Sequence, residues 1–409
     1  MKLYKREKYL KKIRGFYDAD DIIKVVTGVR RCGKSSLMQS IKDELRVAGV
    51  DHERIIYIDL DARENRSVKT PYALEKRINE LTVPGDFHYL FIDEIQNVNG
   101  FEEVINGFRS EGGWSIFITE SNSYLLSGEI STKLTGRYLE FELLPLSFDE
   151  YVDMKKYFGK SISSSMEVEL RSYILEGGFP RTIYLDSIED KRTYVQGVVK
   201  EIFDKDIRRR VKVKNKDAFD LVRKYIINNF GATTSINSIC EGLRKNGFAI
   251  SQATVSKYIR ALVDAKILYE CDRFDMKSKR MLAGEKKYYL SDLSFYFSQN
   301  TDNQINFGPV LENIVYVYAR SQDCEVSIGR FGKFECDFIV RNKELEYAYI
   351  QVAYTILASK DTEDREYRPL ETVKDNYPKF IMTTDFLIQK RNGIKHVNLM
   401  EFMCDGQTF

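Results

Sequence analysis

Five unbroken apolar runs, separated by helix-sized intervals, predict an α/β fold built on a parallel five-stranded sheet. A glycine-rich turn that follows the first run predicts what such a sheet would hold. The runs are IIKVVTG (22–28), IIYIDLD (55–61), YLFIDEI (89–95), WSIFITE (114–120) and YLEFELLPL (138–146). Strands covered on both faces read as continuous apolar stretches rather than as alternating patterns, and the helical intervals supply the cover. A short basic helix over residues 1–18 is expected ahead of them.

The turn is Gly28-Val29-Arg30-Arg31-Cys32-Gly33-Lys34-Ser35, which fits G-x-x-x-x-G-K-[ST], and an amphipathic segment (Leu37, Ile41, Leu45) follows it. Strand, turn and helix in that order turn backbone N–H groups inward around a phosphate at a helix N-terminus. The expected nucleotide contacts are Gly28, Arg30, Arg31, Cys32, Gly33, Lys34, Ser35 and Ser36. Lys34 would reach the β and γ oxygens and Ser35 a Mg²⁺ ion, so ATP and Mg²⁺ are the expected cofactors.

The third run ends in Asp93-Glu94. A carboxylate at the C-terminal edge of such a sheet can hold the magnesium shell, so Asp93 joins Ser35 as a metal residue. Glu94 is placed to polarise the attacking water, with capping of the next helix as its alternative. The fourth run leads into Ser121-Asn122, where Asn122 would sense the γ-phosphate or serve only as a turn residue. Thr135-Gly136-Arg137-Tyr138 precedes the fifth run. In ring-forming NTPases an arginine here faces the neighbouring subunit's nucleotide, and structural ion pairing is the competing role for Arg137. The expected catalytic set is therefore Glu94, Lys34, Asn122 and Arg137.

The 409 residues exceed one ordinary core, and four segments are expected: 1–147, the nucleotide core; 148–214, a helical lid interrupted at Gly177-Gly178-Phe179-Pro180; 215–300; and 301–409. The net charge of +2 conceals an asymmetry, because residues 200–290 carry 21 Lys/Arg against 11 Asp/Glu. That segment is suited to meet an anion. The six cysteines show no C-x-x-C pair and histidine is scarce, which argues against disulfide or zinc frameworks. No run of 18 apolar residues and no signal-like N-terminus appears, so a cytoplasmic protein without a membrane partner is expected.

Within 215–300, three short helical patterns (around Phe219–Ile227, Ile236–Leu243 and, capped by Ser251, Val255–Val263) precede two strands at Ile267–Tyr269 and Lys286–Leu290. This is the winged-helix plan. Lys257 and Arg260 would face the major groove. A wing over 274–287 would carry Lys277, Lys279, Arg280, Lys286 and Lys287 to phosphates, unless the module packs on protein instead. Arg208-Arg209-Arg210 belong either to the lid or to the phosphate contacts. The last hundred residues predict a helix over 310–321 and strands near 336–340, 346–353 and 379–383.

GVRRCGKSSLM, LFIDEIQN, TGRYLEFELLPLSFDEY and EGGFPR resemble bacterial and archaeal AAA-type ATPases whose C-terminal half is a domain of unknown function. The resemblance covers most of the chain. It implies an AAA+ core, a lid, a winged helix and a degenerate nuclease-like domain, working in an oligomer that couples ATP to DNA or to a partner protein. Relatives usually carry Gly where this chain has Glu120, a carboxylate that would disturb the γ-phosphate sensor and favour a non-hydrolysing switch. Glu312, Asp337 and Gln351 follow the order of the restriction-endonuclease core, which implies a vestigial nuclease site. Gln351 and Ala353 stand where that core has Glu-x-Lys, so a remnant without cleavage is favoured over an ATP-gated nuclease.

Overall fold

A computed structural model describes residues 2–121, 134, 136–207, 215–275, 280–300, 304–332 and 334–409, the side chains of 280–285 aside. The chain forms two units, residues 1–144 and 145–409.

In the first unit, the helix α1 (Glu7–Ile13) precedes β1 (Ile23–Thr27), α2 (Lys34–Val47), β2 (Ile55–Asp59), α3 (Pro71–Leu81), β3 (His88–Asp93), α4 (Phe101–Glu111), β4 (Trp114–Thr119) and β5 (Tyr138–Glu142). Each predicted apolar run becomes a strand. The order is β2-β3-β4-β1-β5, and every pairing is parallel. The expected α/β fold with a parallel five-stranded sheet is therefore present. Every residue of β1, β3 and β4 is buried, as two covered faces require. Phe91 and Phe117 stack at 4.6 Å across neighbouring strands. Leu90, Ile92, Ile116 and Ile118 meet Leu74 and Ile78 of α3 and Phe101, Ile105 and Phe108 of α4 in a single apolar cluster. The basic segment expected over 1–18 is helical only over α1 and a 3₁₀ turn at Arg14–Phe16.

The C-terminal ends of these strands come into register where chemistry is expected. Asp59 pairs with Asp93 at the ends of β2 and β3, and Val26 pairs with Thr119 on β1 and β4. In open parallel sheets ligands bind at this edge.

The second unit opens with helices α5 (Phe148–Tyr157), α6 (Met166–Glu176) and α7 (Ile188–Glu201). Gly177 ends α6 at φ 78°, and a Cβ there would lie 2.2 Å from the Asp292 carboxylate, so only glycine fits. The Gly178 N–H donates to Asp292 at 2.6 Å, which fastens the predicted glycine turn from a distant segment.

The middle segment contains α8 (Lys216–Asn228), β6 (Thr233–Thr234), α9 (Ile236–Lys245), α10 (Gln252–Asp264), β7 (Leu268–Asp275), β8 (Arg280–Leu290) and α11 (Ser294–Phe297). Ser251 caps α10 by accepting from the Thr254 N–H. The remainder comprises α12 (Phe307–Ser321), β9 (Glu325–Phe331), β10 (Phe334–Arg341), β11 (Tyr347–Val352), α13 (Lys360–Glu371), β12 (Lys379–Thr383), β13 (Lys390–Arg391), β14 (Ile394–Asn398) and α14 (Leu399–Cys404). Middle and C-terminal segments share one mixed sheet, ordered β13-β14-β12-β11-β10-β9-β7-β8-β6. The join is a parallel pairing of β7 with β9. Among the described residues no helix is long and apolar enough to cross a membrane.

Candidate functional site

The loop between β1 and α2 is shaped by three left-handed residues, Gly28 (φ 145°), Arg31 (φ 70°) and Gly33 (φ 112°). Gly28 also passes so close to β5 that a Cβ would meet the Leu143 carbonyl at 2.2 Å. Gly33 leads directly into α2, whose buried face (Leu37, Met38, Ile41, Leu45) fixes its N-terminus over the strand ends. Ser35 and Ser36 are exposed at that terminus, and Cys32 is wholly buried, which pushes its thiol pKa up. Lys34 is buried, with its Nζ donating to the Gly28 carbonyl at 2.9 Å. From the far side, the buried Arg6 of the N-terminal segment donates to the Leu144 carbonyl at 2.6 Å and the Cys32 carbonyl at 3.4 Å. It ties the loop to the end of β5.

Asp93 is buried, and neighbouring strands satisfy both of its oxygens: Tyr57 OH donates to Oδ2 at 3.0 Å and Thr119 Oγ1 donates to Oδ1. Thr119 Oγ1 also accepts from the Glu94 N–H at 2.9 Å, so one hydroxyl of β4 holds both acidic residues. Glu94 adopts a left-handed conformation (φ 57°), an uncommon state for a non-glycine residue that this bond helps to hold. Its side chain accepts from Ser121 Oγ at 2.7 Å and from Gln96 Nε2, and Arg30 lies 3.8 Å from Oε2. Burial works to raise the Glu94 pKa, but Lys34 and Arg30, helped by the two hydrogen bonds, outweigh it and hold the carboxyl below its ordinary value. Glu94 is therefore an ionised carboxylate beside the loop, which is the state a general base requires. The capping alternative finds no support in its side chain, because Glu94 makes no cap hydrogen bond to the 3₁₀ turn Ile95–Asn97.

Sequence reasoning found the loop and the acidic pair. It missed Tyr57, Thr119, Gln96 and Arg6, whose partners lie 2 to 138 positions away in the chain. For Thr119, its polar side chain near the end of the run WSIFITE is the signal that could have indicated it. Asn122 lies outside the described residues. Arg137 is exposed, its backbone engaged with Leu134 and Ile23. Glu120 is wholly buried immediately after β4, with its N–H donating to Val26.

In the second unit, Lys257 and Arg260 are exposed on α10, and Arg260 pairs with Asp264 at 2.9 Å. Lys277, Lys279 and Arg208–Arg210 lie outside the described residues, and Arg280 begins β8 opposite Asp275. The expectation that Lys286 and Lys287 reach out to phosphates is corrected. Lys286 pairs with Glu270 and Asp272 at 2.9 and 3.0 Å. Lys287 is buried, 3.4 Å from Glu312 and 3.1 Å from Glu335. Alternation along β8 turns this side chain inward, toward the half-buried Glu312 and Glu335.

Glu312 on α12 also accepts from Tyr289 OH at 2.9 Å, and Asp337 on β10 accepts from the Val352 N–H at 2.8 Å. Gln351 donates to Glu366 of α13 at 3.0 Å, while its buried Oε1 has no hydrogen-bond partner. Burial raises the Asp337 pKa well above the ordinary value and the nearby Glu312 raises it further; burial likewise raises Glu312, against the pull of Lys287. The structure thus brings Glu312 and Asp337 into electrostatic contact and adds Lys287 and Glu366, which no local motif announced. Among the described residues, no three His, Cys, Asp or Glu side chains are grouped to hold a metal ion.

A phosphate loop heading α2, set against strand-end acids in a parallel sheet of order 2-3-4-1-5, defines a P-loop ATPase domain of the AAA type. The AAA domain family matches residues 20–152, and a domain of unknown function matches residues 167–303. An uncharacterized protein of Haemophilus influenzae is 32% identical over 97% of this chain and 98% of its own length. One from Methanocaldococcus jannaschii is 31% identical over 86% of this chain and 79% of its own. The chain belongs to the family of these two proteins, and it carries an AAA domain followed by a domain of unknown function. Among solved structures, a Walker-type ATPase of Pyrococcus abyssi superposes with a TM-score of 0.52 over 73% of this chain and 96% of its own, at 14% identity. That likeness supports the fold.

Proposed function

We propose that this protein is a Mg²⁺-dependent ATPase whose nucleotide state is relayed to a DNA or protein partner within a homo-oligomer. The observation that carries the reading is the ionised Glu94, held beside the phosphate loop by Thr119, Ser121 and Arg30. The loop N–H groups at the head of α2 and the Lys34 ammonium would bind the phosphates. The Ser35 hydroxyl and Asp93 carboxylate are hard oxygen donors that suit Mg²⁺, which when bound neutralises charge on the phosphates. Glu94 would accept a proton from the attacking water. Asn122 would sense the γ-phosphate, and the exposed Arg137 is free to meet a neighbouring subunit's nucleotide.

In this reading residues 1–147 are the core, 148–214 a lid, 215–300 a winged helix and 301–409 a degenerate nuclease-like domain. Helices α8, α9 and α10 with the β7–β8 hairpin support the winged-helix assignment. The exposed Lys257 and Arg260 on α10 favour DNA as the partner, with Lys277, Lys279 and Arg280 as further phosphate contacts. Lys287 among Glu312, Glu335 and Asp337 favours a structural acid cluster over a nuclease centre.

The test is phosphate release with and without duplex DNA at two salt concentrations, for the wild type and Glu94→Gln. Turnover should vanish in the variant while nucleotide binding persists, and DNA stimulation should fade steeply with salt. Unchanged turnover in Glu94→Gln would sink the assignment of the base. Nucleotide binding without turnover in the wild type would select a non-hydrolysing switch instead, with the buried Glu120 as its cause.

A further inference from the structure

We propose that the Arg30 side chain distinguishes ATP from ADP by exchanging the Glu94 carboxylate for the γ-phosphate. The inference rests on the ATPase reading above and gives a phosphate-loop side chain a task that the loop's backbone does not perform.

Arg30 lies midway between the two motif glycines, yet it is buried rather than splayed into solvent. Its guanidinium sits 3.8 Å from Glu94 Oε2 and 4.0 Å from Asp61 Oδ2. Those separations are ion-pair distances, longer than the 2.7–2.9 Å of a charge-assisted hydrogen bond. Lys34 meanwhile donates to the Gly28 and Val29 carbonyls. Arg30 is thus a loop cation in ion-pair contact with the general base. Ser121 and Gln96 already donate to Glu94, one to each oxygen. In this arrangement the carboxylate is neutralised and both of its oxygens are engaged, so it is poorly disposed to take a proton from water.

A terminal phosphate entering beside the loop offers Arg30 more negative charge and bidentate geometry, which guanidinium groups match well. The arginine moves to the phosphate, and the carboxylate charge is released to act on water only when the third phosphate is present. A diphosphate presents nothing at that position. Arg30 is therefore a positioning and specificity residue rather than a proton carrier.

The pair makes a thermodynamic cycle. Binding of ADP and of a non-hydrolysable ATP analogue is measured by calorimetry for the wild type, Arg30→Gln, Arg30→Lys, Glu94→Gln and the Arg30→Gln/Glu94→Gln double variant. Arg30→Gln should weaken the triphosphate roughly tenfold or more, as loss of a charged hydrogen bond implies, while ADP affinity changes about twofold or less; Arg30→Lys should restore part of the loss. Glu94→Gln removes one carboxylate charge that competes for the arginine and should tighten the triphosphate several-fold. That gain should disappear in the double variant. Equal weakening of ADP and triphosphate by Arg30→Gln, or a Glu94→Gln gain that survives without Arg30, would overturn the proposal while leaving the ATPase reading intact. A wild type that binds neither nucleotide would overturn both.

Discussion

Two pairs of acids, Asp93–Glu94 in the first unit and Glu312–Asp337 in the second, are similarly withdrawn from water but carry charge differently. In the first, Lys34 and Arg30 overcome burial, and Glu94 is held below its ordinary pKa. In the second, burial prevails despite Lys287, and both acids are raised. Burial acts on both pairs, and the positive charge beside each decides whether it wins. What differs is the supply of positive charge and of donors: a loop with two cations and hydroxyls from β2 and β4 serves one pair, while in the other Lys287 serves Glu312 and Asp337 and shares Glu335 with Arg273. The first pair is prepared to receive further positive charge. The second already contains its own.

The most severe way to break this contrast is to remove the internal cation. Lys287→Met should leave buried acids without their counter-ion and cost about 3–5 kcal/mol, the usual result of deleting one partner of a buried pair. A lowered urea midpoint for the second unit, with nucleotide binding preserved, is the expected measurement; an unchanged midpoint would mean that the acids are neutral without it. A smaller effect is expected on the first unit from Thr119→Val, which removes a donor from Asp93 and an acceptor from the half-buried Glu94 N–H. The expected loss is about 1–3 kcal/mol, read by the same titration.

The finest test concerns sign. A carboxyl raised in the folded state contributes stability that is complete below its unfolded pKa and is lost as pH rises through the folded value. Asp337 is of this kind, so as pH rises above the ordinary carboxylate range the wild type should lose more stability than Asp337→Asn. Glu94, held low, contributes in the opposite sense, with stability present above its ordinary pKa and lost as pH falls. The destabilisation caused by Glu94→Gln should accordingly shrink in acid. Parallel pH dependence of the two variants would contradict the contrast.

The first pair was legible in the sequence because its ingredients are contiguous. A G-x-x-x-x-G-K-S loop and an acid at the end of four apolar residues announce themselves, as do the five strands that carry them. The supporting side chains were not legible, because sheet register brings Tyr57 and Thr119 to Asp93, and no local pattern encodes register. The second pair shows the same limit more sharply. Glu312 and Asp337 follow a recognisable order, and the strand at Lys379–Thr383 was placed correctly, but Lys287 looked like a surface cation in a basic run. Only the pairing of β7 with β8 and β9 reveals that it faces inward. The strands β9 and β14 escaped notice because their alternation is broken by charged and glycine residues such as Arg330, Gly329 and Lys395.

The parallel pairing of β7 with β9 has a practical meaning for anyone dividing this protein. Residue 300 resembles a convenient place to cut, with helices and a hairpin on one side and a mixed sheet on the other. A fragment ending there would keep β8 on one flank of β7 and expose the other flank as an open row of N–H and C=O groups. Such edges recruit strands from neighbouring molecules. The basic hairpin is the seam of the second unit rather than its border, and a ligand that grips the hairpin grips the terminal sheet through the same backbone ladder.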